Sequence, residues 1–321
     1  MKKLWTTALA GVLTTLAAGS AWAGAEGAKV VLMTVTEECE YCSLHQRAFR
    51  EKAEAAGIDL EVKITNFDAA EQASQVEQAI AQKPDAIVLW PADASAIVPS
   101  LRKIHMAGIP LVITNSAPDE KFSEFWDVFT GPDDVGNGLS AGEAMAMGLK
   151  ARGEEGDGRI FIIEGVPGTP PQIQRSEGFM TAMAEQAPTV DIFGKQNGNW
   201  DQTRATEAAA ALFTQSGGDV QGVYAQADNM MSGVIVAAQR VGIDPSKLVL
   251  VGSNCSIEGV QAIEAGTQYA TVLQSPVDDG AYAAEAVIKL LDGTLDTDRM
   301  YLPHRIITRD NLSECDAAIG R

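Results

Sequence analysis

Short runs of β-branched and other apolar residues alternate with longer amphipathic segments along most of the chain. The first four runs are KVVLMTVT (29–36), IDLEVKIT (58–65), AIVLW (86–90) and IPLVITN (109–115). Between them, segments with helical periodicity occupy residues 43–56, 69–82 and 96–107. They end at or just before Gly57, Pro84 and Gly108, which are helix-stop signals. This alternation predicts βαβ units that build a mostly parallel, four-stranded sheet.

A second series of five apolar runs follows the first. It comprises RIFIIEG (159–165), TVDIFGK (189–195), GVYAQAD (222–228), KLVLVGS (247–253) and QYATVLQ (268–274). Each series is typical of a doubly wound α/β lobe, where ligands bind beyond the carboxyl ends of the strands. Two such lobes facing each other predict a cleft. No interval resembles a flexible linker, which indicates several tight crossings between the lobes and not a single tether.

The first 23 residues have the pattern of a signal peptide. Lys2 and Lys3 precede an apolar stretch at 4–18, and the sequence AWA at 21–23 is a small-x-small cleavage site. The stretch is shorter than the roughly 20 apolar residues of a membrane-spanning helix. We expect cleavage after Ala23, without a lipid anchor because no cysteine lies there, and a soluble mature protein in the periplasm.

Length and charge narrow the class further. A chain of 321 residues is longer than one core usually organises, which favours two domains. Its formal net charge of -19 would repel the phosphate backbone, so we expect no nucleic-acid partner. We interpret the acidity as solubility in an exported compartment and not as attraction of cationic ligands.

Several motifs follow one another in a recognisable order. They are KPDAIVLWPADASAIVPSL (83–101), GPDDVGNGLSAG (131–142), EGVPGTPPQIQRSEGF (164–179), YAQADNM (224–230), LVGSNCSIEGVQAI (250–263) and YATVLQSPVDDGAYAAEAV (269–287). In this order the chain resembles the sugar-binding branch of the type I periplasmic binding proteins, the ribose-binding protein and its relatives. The resemblance covers almost the whole mature chain, although no single motif is diagnostic.

The resemblance implies an α/β fold of two doubly wound parallel-sheet lobes, joined by a three-crossing hinge that closes on one ligand. By analogy, the N-terminal lobe takes residues 24–132 plus 275–304. The C-terminal lobe takes residues 133–274 plus 305–321. Cytoplasmic repressors share this fold but carry a DNA-binding helix-turn-helix in front of it, where this chain has a signal peptide.

The function implied by the resemblance is that of a periplasmic solute-binding component of an ABC importer. The expected partners are a small carbohydrate-like ligand and the permease in the inner membrane, and the expected state is a monomer. We expect no enzymatic activity, no cofactor and no metal. A ligand-sensing receptor for chemotaxis or signalling remains an alternative, since homologous receptors present the closed form to other partners.

Three aromatic residues match pocket positions of the family: Tyr41 and Trp90 in the first lobe, and Trp200 in the second. An aromatic plane packs well on the C–H face of a sugar ring. The alternative for each is an ordinary core or surface aromatic.

The polar matches are Asn115, Asp134, Asn254 and Gln274. Buried hydroxyl groups of a ligand are discriminated only when their hydrogen-bond partners are fixed. The alternative is that these side chains cap helices or hold the hinge, because Asp and Asn are favoured at such ends.

Departures from the family pattern bear on the ligand. Charged or amide residues of the family are replaced at Asn115, Ser116, Ile173, Ala227 and Asn254. Arg175 remains close to one of these positions and is a candidate for a structural role. Because several charged hydroxyl-readers are missing, an ordinary pyranose or furanose is in doubt. A polyol, a cyclitol, a less hydroxylated ring or a modified sugar stays open.

Two further features leave alternatives open. Glu37, Glu38 and Glu40 in the first loop could attract a cationic group, or could form a solvated acidic rim. Phe125 and Trp126 could extend the aromatic wall of the cleft, or could anchor their segment to its own lobe.

Four cysteines in an exported protein indicate two disulfides, although four cysteines permit three pairings. The local pair Cys39-x-x-Cys42 is the easiest to close, which leaves Cys255 and Cys315, both in the second lobe by analogy. We favour these two pairs.

Before a helix, however, a C-x-x-C is also the arrangement of thiol-disulfide redox proteins, so a periplasmic redox protein is the enzymatic alternative. With His45 one turn further on, the same cysteines could be three metal ligands, but no fourth ligand is evident.

Overall fold

The computed structural model describes residues 24–154 and 158–320. The predicted signal peptide, with its cleavage site, lies outside the described residues. Within those two ranges, no helix combines the length and the apolar character needed to cross a membrane.

Six parallel strands form the first sheet, in the spatial order β11-β5-β4-β3-β1-β2. They are β1 (Lys29–Thr34), β2 (Asp59–Ile64), β3 (Ala86–Leu89), β4 (Leu111–Thr114), β5 (Val128–Pro132) and β11 (Arg299–Leu302). The chain runs outward from β1 to β2 and then returns to β3 on the other side. The strand order therefore reverses between β1 and β3, which is where a doubly wound sheet opens a binding crevice at its carboxyl edge.

Four helices cover this sheet: α1 (Glu40–Ala55), α2 (Ala69–Gln82), α3 (Val98–Met106) and α9 (Pro276–Leu291). Buried side chains fill both faces, with Leu32, Phe49 and Val287 on the side of α1 and α9. Met33 and Leu101 belong to the core on the side of α2 and α3. We call this unit the first lobe.

The second sheet has four parallel strands in the order β7-β6-β8-β9. These are β6 (Arg159–Glu164), β7 (Asp191–Asn197), β8 (Gly222–Ala225) and β9 (Val249–Val251). The helices on it are α4 (Asp134–Arg152), α5 (Pro170–Gln186), α6 (Gln202–Gln215), α7 (Asp228–Arg240) and α8 (Ile257–Ala265). A short antiparallel pair of β10 (Thr271–Val272) and β12 (Ile306–Ile307) lies beside them, followed by a 3-10 segment at Arg309–Ile319. We call this unit the second lobe.

Two predictions about strands need correction. The first sheet has six strands where four were predicted, because 128–132 ends in Gly-Pro and 299–302 is an edge strand with half-exposed residues. Neither segment carries the apolar run of a central strand. In addition, the predicted strand at 268–274 is shorter than expected. Ala270 forms a parallel bridge with Val251, and main-chain hydrogen bonds continue this parallel pairing as far as Val272. Thr271–Val272 also pairs antiparallel with β12.

The chain passes between the lobes at three places. The first crossing follows β5, the second joins β10 to α9, and the third joins β11 to β12. A disulfide between Cys255 and Cys315 holds the C-terminal segment on the second lobe, with their Cα atoms 5.4 Å apart. A second disulfide joins Cys39 and Cys42, whose Cα atoms are 5.2 Å apart, at the start of α1.

Candidate functional site

Gln274, in the second crossing, connects side chains from both lobes. It is 4% exposed, and its Nε2 donates to Tyr41 Oη in the first lobe at 3.1 Å. Its Oε1 accepts from two donors of the second lobe, Arg175 Nη2 at 2.7 Å and Asn137 Nδ2 at 3.3 Å. A single amide at the hinge is therefore bonded to both sides of the interlobe cleft.

A buried carboxyl group lies on the first-lobe side of this amide. Tyr41 Oη donates to Asp279 Oδ2 at 3.0 Å, and Asn115 Nδ2 donates to the same oxygen at 2.8 Å. Asn115 ends β4 with a left-handed backbone (φ 63°), a conformation that asparagine tolerates well. Burial raises the pKa of Asp279 to about 7. Burial, together with the nearby Asp279 carboxyl, also raises the pKa of Tyr41.

Arg175 organises the second-lobe side. Its Nε donates to Asp134 Oδ1 at 2.8 Å, while its Nη1 donates to the Gln226 carbonyl at 2.7 Å and more weakly to Asn254 Oδ1 at 3.4 Å. Both members of the ion pair are buried. Burial raises the pKa of Asp134, although Arg175 opposes the shift. The arginine is thus engaged by protein acceptors on all three nitrogens.

Close helix packing brings this arginine to its partners. Gly138 on α4 lies against the main chain of α5, where a Cβ would overlap the Arg175 carbonyl oxygen. The absence of a side chain lets α4 and α5 approach closely. As a result, Arg175 on α5 is close enough to bond directly to Asp134, the first residue of α4.

Trp90 forms a wall of the first lobe. It is 6% exposed, and its ring meets those of Tyr41 and His45 edge-on, with centroids 6.1 Å and 4.9 Å apart. Its carbonyl oxygen accepts from Gln72 Nε2 at 2.9 Å, which fixes the end of β3. Trp90 therefore backs the tyrosine that reaches the hinge amide.

Trp200 is half-buried on the second lobe, between β7 and α6. Its ring lies against Gly165, where any Cβ would overlap it, and the Arg175 guanidinium carbon is 5.6 Å from the ring centroid. Asn229 Nδ2 donates to the Trp200 carbonyl at 2.8 Å and so holds its loop on α7. The indole thus lies beside the polar cluster.

The predicted residues come together with two additions. Tyr41, Asn115, Asp134, Asn254 and Gln274 belong to one network, flanked by Trp90 and Trp200. Arg175 was expected from the sequence only as a structural residue, and Asp279 was not predicted. A sequence clue exists for Asp279, since an acid in the first turn of a helix that follows a crossing is placed at the cleft. Its carboxyl group lies next to the side chain of Asn115, and by the resemblance the family has an acid at the position of Asn115.

The structure decides one of the two open alternatives about the cleft rim. Phe125 packs in the core of the first lobe under Arg102 and His105, so its segment is anchored to its own lobe and does not extend the cleft wall. Glu40 is exposed on the whole, but neighbouring atoms cover part of its carboxylate. This partial burial, together with the negative charge of Glu258 on the second lobe, raises the pKa of Glu40. The first loop thus places one carboxylate near another, an arrangement that fits a solvated acidic rim and also a site for a cationic group, so both interpretations stay open.

The first turn of α1 is closed by its own cysteines. Cys39 Sγ accepts from the Cys42 main-chain nitrogen at 3.0 Å in addition to forming the disulfide. Because both sulfurs are bonded to each other, neither is a thiolate ligand. His45 is fully buried, with Nε2 3.1 Å from Thr114 Oγ1, and burial lowers its pKa to about 3. In the part of the chain that the structure describes, no group of three His, Cys, Asp or Glu could hold a metal.

Comparison with known proteins places the chain in a family. The periplasmic binding protein domain matches residues 30–295. The xylitol-binding protein of Mycolicibacterium smegmatis is 29% identical over 94% of this chain and 82% of its own length. The D-ribose/D-allose-binding protein of Pseudomonas aeruginosa is 31% identical over 70% of this chain and 69% of its own.

A solved structure agrees with these sequence relatives. The periplasmic solute-binding protein of an ABC transporter from Actinobacillus succinogenes, with bound D-allose, superposes with a TM-score of 0.80. It is 25% identical and covers 89% of this chain and 99% of its own. The resemblance and the fold class predicted from the sequence are confirmed, and the chain belongs to the periplasmic binding protein family, with its type I fold.

Proposed function

We propose that this protein is the periplasmic solute-binding component of an ABC importer and that it binds a small polyol or related carbohydrate-like solute in the interlobe cleft. The observation that carries the proposal is the position of Gln274, whose amide is bonded to Tyr41 of one lobe and Arg175 of the other. A solute that enters between these side chains contacts both lobes and so favours their closure.

The proposed contacts are the seven residues expected from the sequence. Hydrogen bonds come from Tyr41, Asn115, Asp134, Asn254 and Gln274, and aromatic surface comes from Trp90 and Trp200. Tyr41 and Trp200 lie on opposite lobes and are half-buried, which is the exposure expected of groups that a ligand covers.

The electrostatics disfavour an anionic ligand. Each guanidinium nitrogen of Arg175 already donates to a protein acceptor, and its charge is paired with Asp134. An anion in the cleft would have to displace one of these buried bonds, which is costly. Together with the acidic rim, this arrangement disfavours an anion and favours a ligand that donates hydrogen bonds.

A polyol is preferred over a cyclic aldose for two reasons. By the resemblance, the chain lacks several of the charged or amide residues with which the family grips aldose hydroxyls, at 115–116, 173, 227 and 254. One relative that covers most of the chain is named for xylitol, while another is named for D-ribose and D-allose.

The proposal includes the cellular setting. Signal cleavage after Ala23 releases a periplasmic monomer whose closed form is recognised by an inner-membrane permease. The lobes move as units with the bounds 24–132 plus 275–304 and 133–274 plus 305–321, a division supported by the three crossings. Cys39 and Cys42 act as a structural link, and the protein performs no catalysis.

A ligand screen tests this function. Purified mature protein is melted with tetritols, pentitols including xylitol, hexitols, cyclitols, pentoses, amino sugars and inorganic cations. A ligand that binds only the folded state raises the melting temperature, by an amount equivalent to about 2.7 kcal/mol at a hundredfold excess over Kd. We expect the largest shift with a neutral polyol, verified by calorimetric titration. A shift with cations or amino sugars alone, or with none of the compounds, contradicts the proposal.

A further inference from the structure

Asp279 combines complete burial with an unused oxygen. Its Oδ2 accepts from both Tyr41 and Asn115, but its Oδ1 is shielded from solvent and has no hydrogen-bond partner among the described residues. Leaving a buried polar atom unpaired costs free energy, more so when it carries charge. Because Asp279 is linked through Tyr41 to the hinge amide of Gln274, this atom is a candidate acceptor for a ligand held between the lobes.

The fold holds this carboxyl group in place. Asp279 lies in the first turn of α9, directly after the crossing that contains Gln274. The next residue, Gly280, is so close to α1 that a Cβ would overlap the His45 carbonyl oxygen. Because α9 is pressed onto α1 here, Asp279 has no room to turn away from Tyr41. Free N–H groups at the helix start also favour a negative charge at this position.

We propose that Asp279 is the specificity-determining residue of the cleft, and that its Oδ1 accepts a hydrogen bond from one hydroxyl of an uncharged polyol. Its Oδ2 keeps its bonds to Tyr41 and Asn115 in the complex. The inference rests on the proposed function and deepens it, since it names the group that selects the ligand. Asp279 thereby supplies, from α9, a carboxylate that the segment after β4 lacks.

This role predicts a definite selectivity. A ligand hydroxyl donates to Asp279 Oδ1, whereas a deoxy analogue leaves this oxygen unpaired in the closed site. A site of this kind discriminates strongly between the polyol and its deoxy analogue. A carboxylate or phosphate at the same point would meet a like charge. We therefore expect one hydroxyl position of the ligand to be far more sensitive to deoxygenation than the others.

Ligand binding should also be coupled to a proton. Burial holds the pKa of Asp279 at about 7, and a donated hydroxyl favours the ionised form and lowers that pKa in the complex. Binding then releases a proton, and affinity tightens as the pH rises from about 5 to about 8. Above the pKa of the free protein the affinity levels off.

The surrounding groups do not mask this effect. Facing charges are Asp134, which is paired with Arg175, and Asp278 on the same helix. Tyr41 and His45 on α1 stay neutral throughout this range, because burial moves their pKa values away from it. The buried residues of Arg309–Ile319, which also contacts α9, are a disulfide-bonded cysteine and an alanine. Asp228 also has a pKa near 7, but its three donors are its own lobe's Gln268, Thr271 and Ser256.

The test is Asp279→Asn, an isosteric change. The new amide oxygen can accept from Tyr41 and Asn115 as before. The only change is at the position of Oδ1, where an NH2 group replaces the oxygen, so that an acceptor becomes a donor. The matched control is Asp278→Asn, which removes the same charge one residue earlier. Calorimetric titration uses xylitol, and the polyol with the largest wild-type shift if xylitol does not bind. The affinity is measured at pH 5.5, 7 and 8, and the binding heats at pH 7 and 8 are compared between phosphate and Tris, whose different ionisation enthalpies report proton release.

We expect Asp279→Asn to bind the polyol at least about tenfold more weakly at pH 8, the size of a lost hydrogen bond to a charged group. Its affinity should no longer depend on pH, and its ligand-free melting temperature should not fall. Asp278→Asn should keep the wild-type affinity at pH 8 and remain pH-dependent, with the transition moved to lower pH because the Asp278 charge helps to raise the pKa of Asp279. Unchanged polyol affinity in Asp279→Asn overturns this inference alone. A wild-type protein that binds no polyol overturns the proposed function, and with it the role of Asp279.

Discussion

At the scale of single residues, Trp200 shows how backbone strain accompanies a binding position. Asn199 and Trp200 both have left-handed backbones, with φ values of 54° and 60°. For a bulky residue this conformation costs about 1–3 kcal/mol, and it persists mainly where the surroundings enforce it. Here the enforcing contacts are Gly165 beneath the ring and Asn229 on the carbonyl oxygen. The ring is thereby presented to the cleft in a fixed orientation.

Trp200→Ala should weaken ligand binding about thirtyfold, because truncating a buried interface aromatic commonly costs about 2 kcal/mol or more. The ligand-free melting temperature should change little, since the ring is only half-buried without ligand. The control is Phe213→Ala, which removes a fully buried ring from the core of the same lobe and should do the reverse. Calorimetric titration and thermal melting measure both. Retained affinity with lowered stability in Trp200→Ala would remove this residue from the pocket.

Asp279 also shows what sequence reasoning could not reach at this scale. Trp200 and Gln274 were predicted from motif positions, and the structure places both at the cluster. The contact between Asn115 and Asp279 spans 164 residues, so no local pattern reveals it. It depends on how closely α9 packs on α1, which is a tertiary property.

At the scale of elements, the first turn of α1 joins a disulfide to a binding residue. Tyr41 lies between Cys39 and Cys42, and Cys39 is the N-cap of the helix. The bridge restricts the backbone on both sides of the tyrosine. A preorganised side chain loses less entropy when the ligand binds.

The two disulfides should therefore have different effects when removed. The double variant Cys39→Ser/Cys42→Ser should bind ligand about threefold or more weakly, through lost preorganisation, with a small loss of stability. Cys255→Ser/Cys315→Ser opens a link across 60 residues and should cost up to about 4 kcal/mol of stability with little effect on affinity. Calorimetric titration and urea unfolding separate the two effects. Sustained reduction of insulin by the wild type, lost in Cys39→Ser, would instead support the redox alternative.

Element boundaries were predictable where the chain carries explicit signals. The helix predicted at 69–82 matches α2, because Asp68 caps its start and Pro84 follows its end. The start of α1 was predicted three residues late, since a cysteine is not a usual helix cap. β5 was missed because its short run ends in Gly-Pro, and β11 because an edge strand needs no apolar alternation.

At the scale of the whole molecule, the cleft is defined by contacts that neither lobe can complete alone. Tyr41 belongs to the first lobe and Arg175 to the second, and they meet through Gln274 at the hinge. A bound solute that uses groups from both lobes stabilises the conformation in which the lobes are close together.

Adding saturating ligand should accordingly reduce the radius of gyration measured by small-angle scattering. Asp278→Asn, which keeps the cleft intact, should show the same decrease in radius. In Trp200→Ala the decrease should occur only at higher ligand concentrations. An unchanged radius for protein shown by calorimetry to be fully bound would mean that recognition occurs within one lobe.

The three crossings have a consequence for the mechanics of closure. One tether would let the lobes twist and slide in many directions, whereas three chain segments side by side leave chiefly one bending coordinate. The lobes then close by changing one hinge angle and do not have to find the right orientation among many. Little orientational entropy is left to lose at that step, so even the few contacts of a small solute can hold the lobes shut.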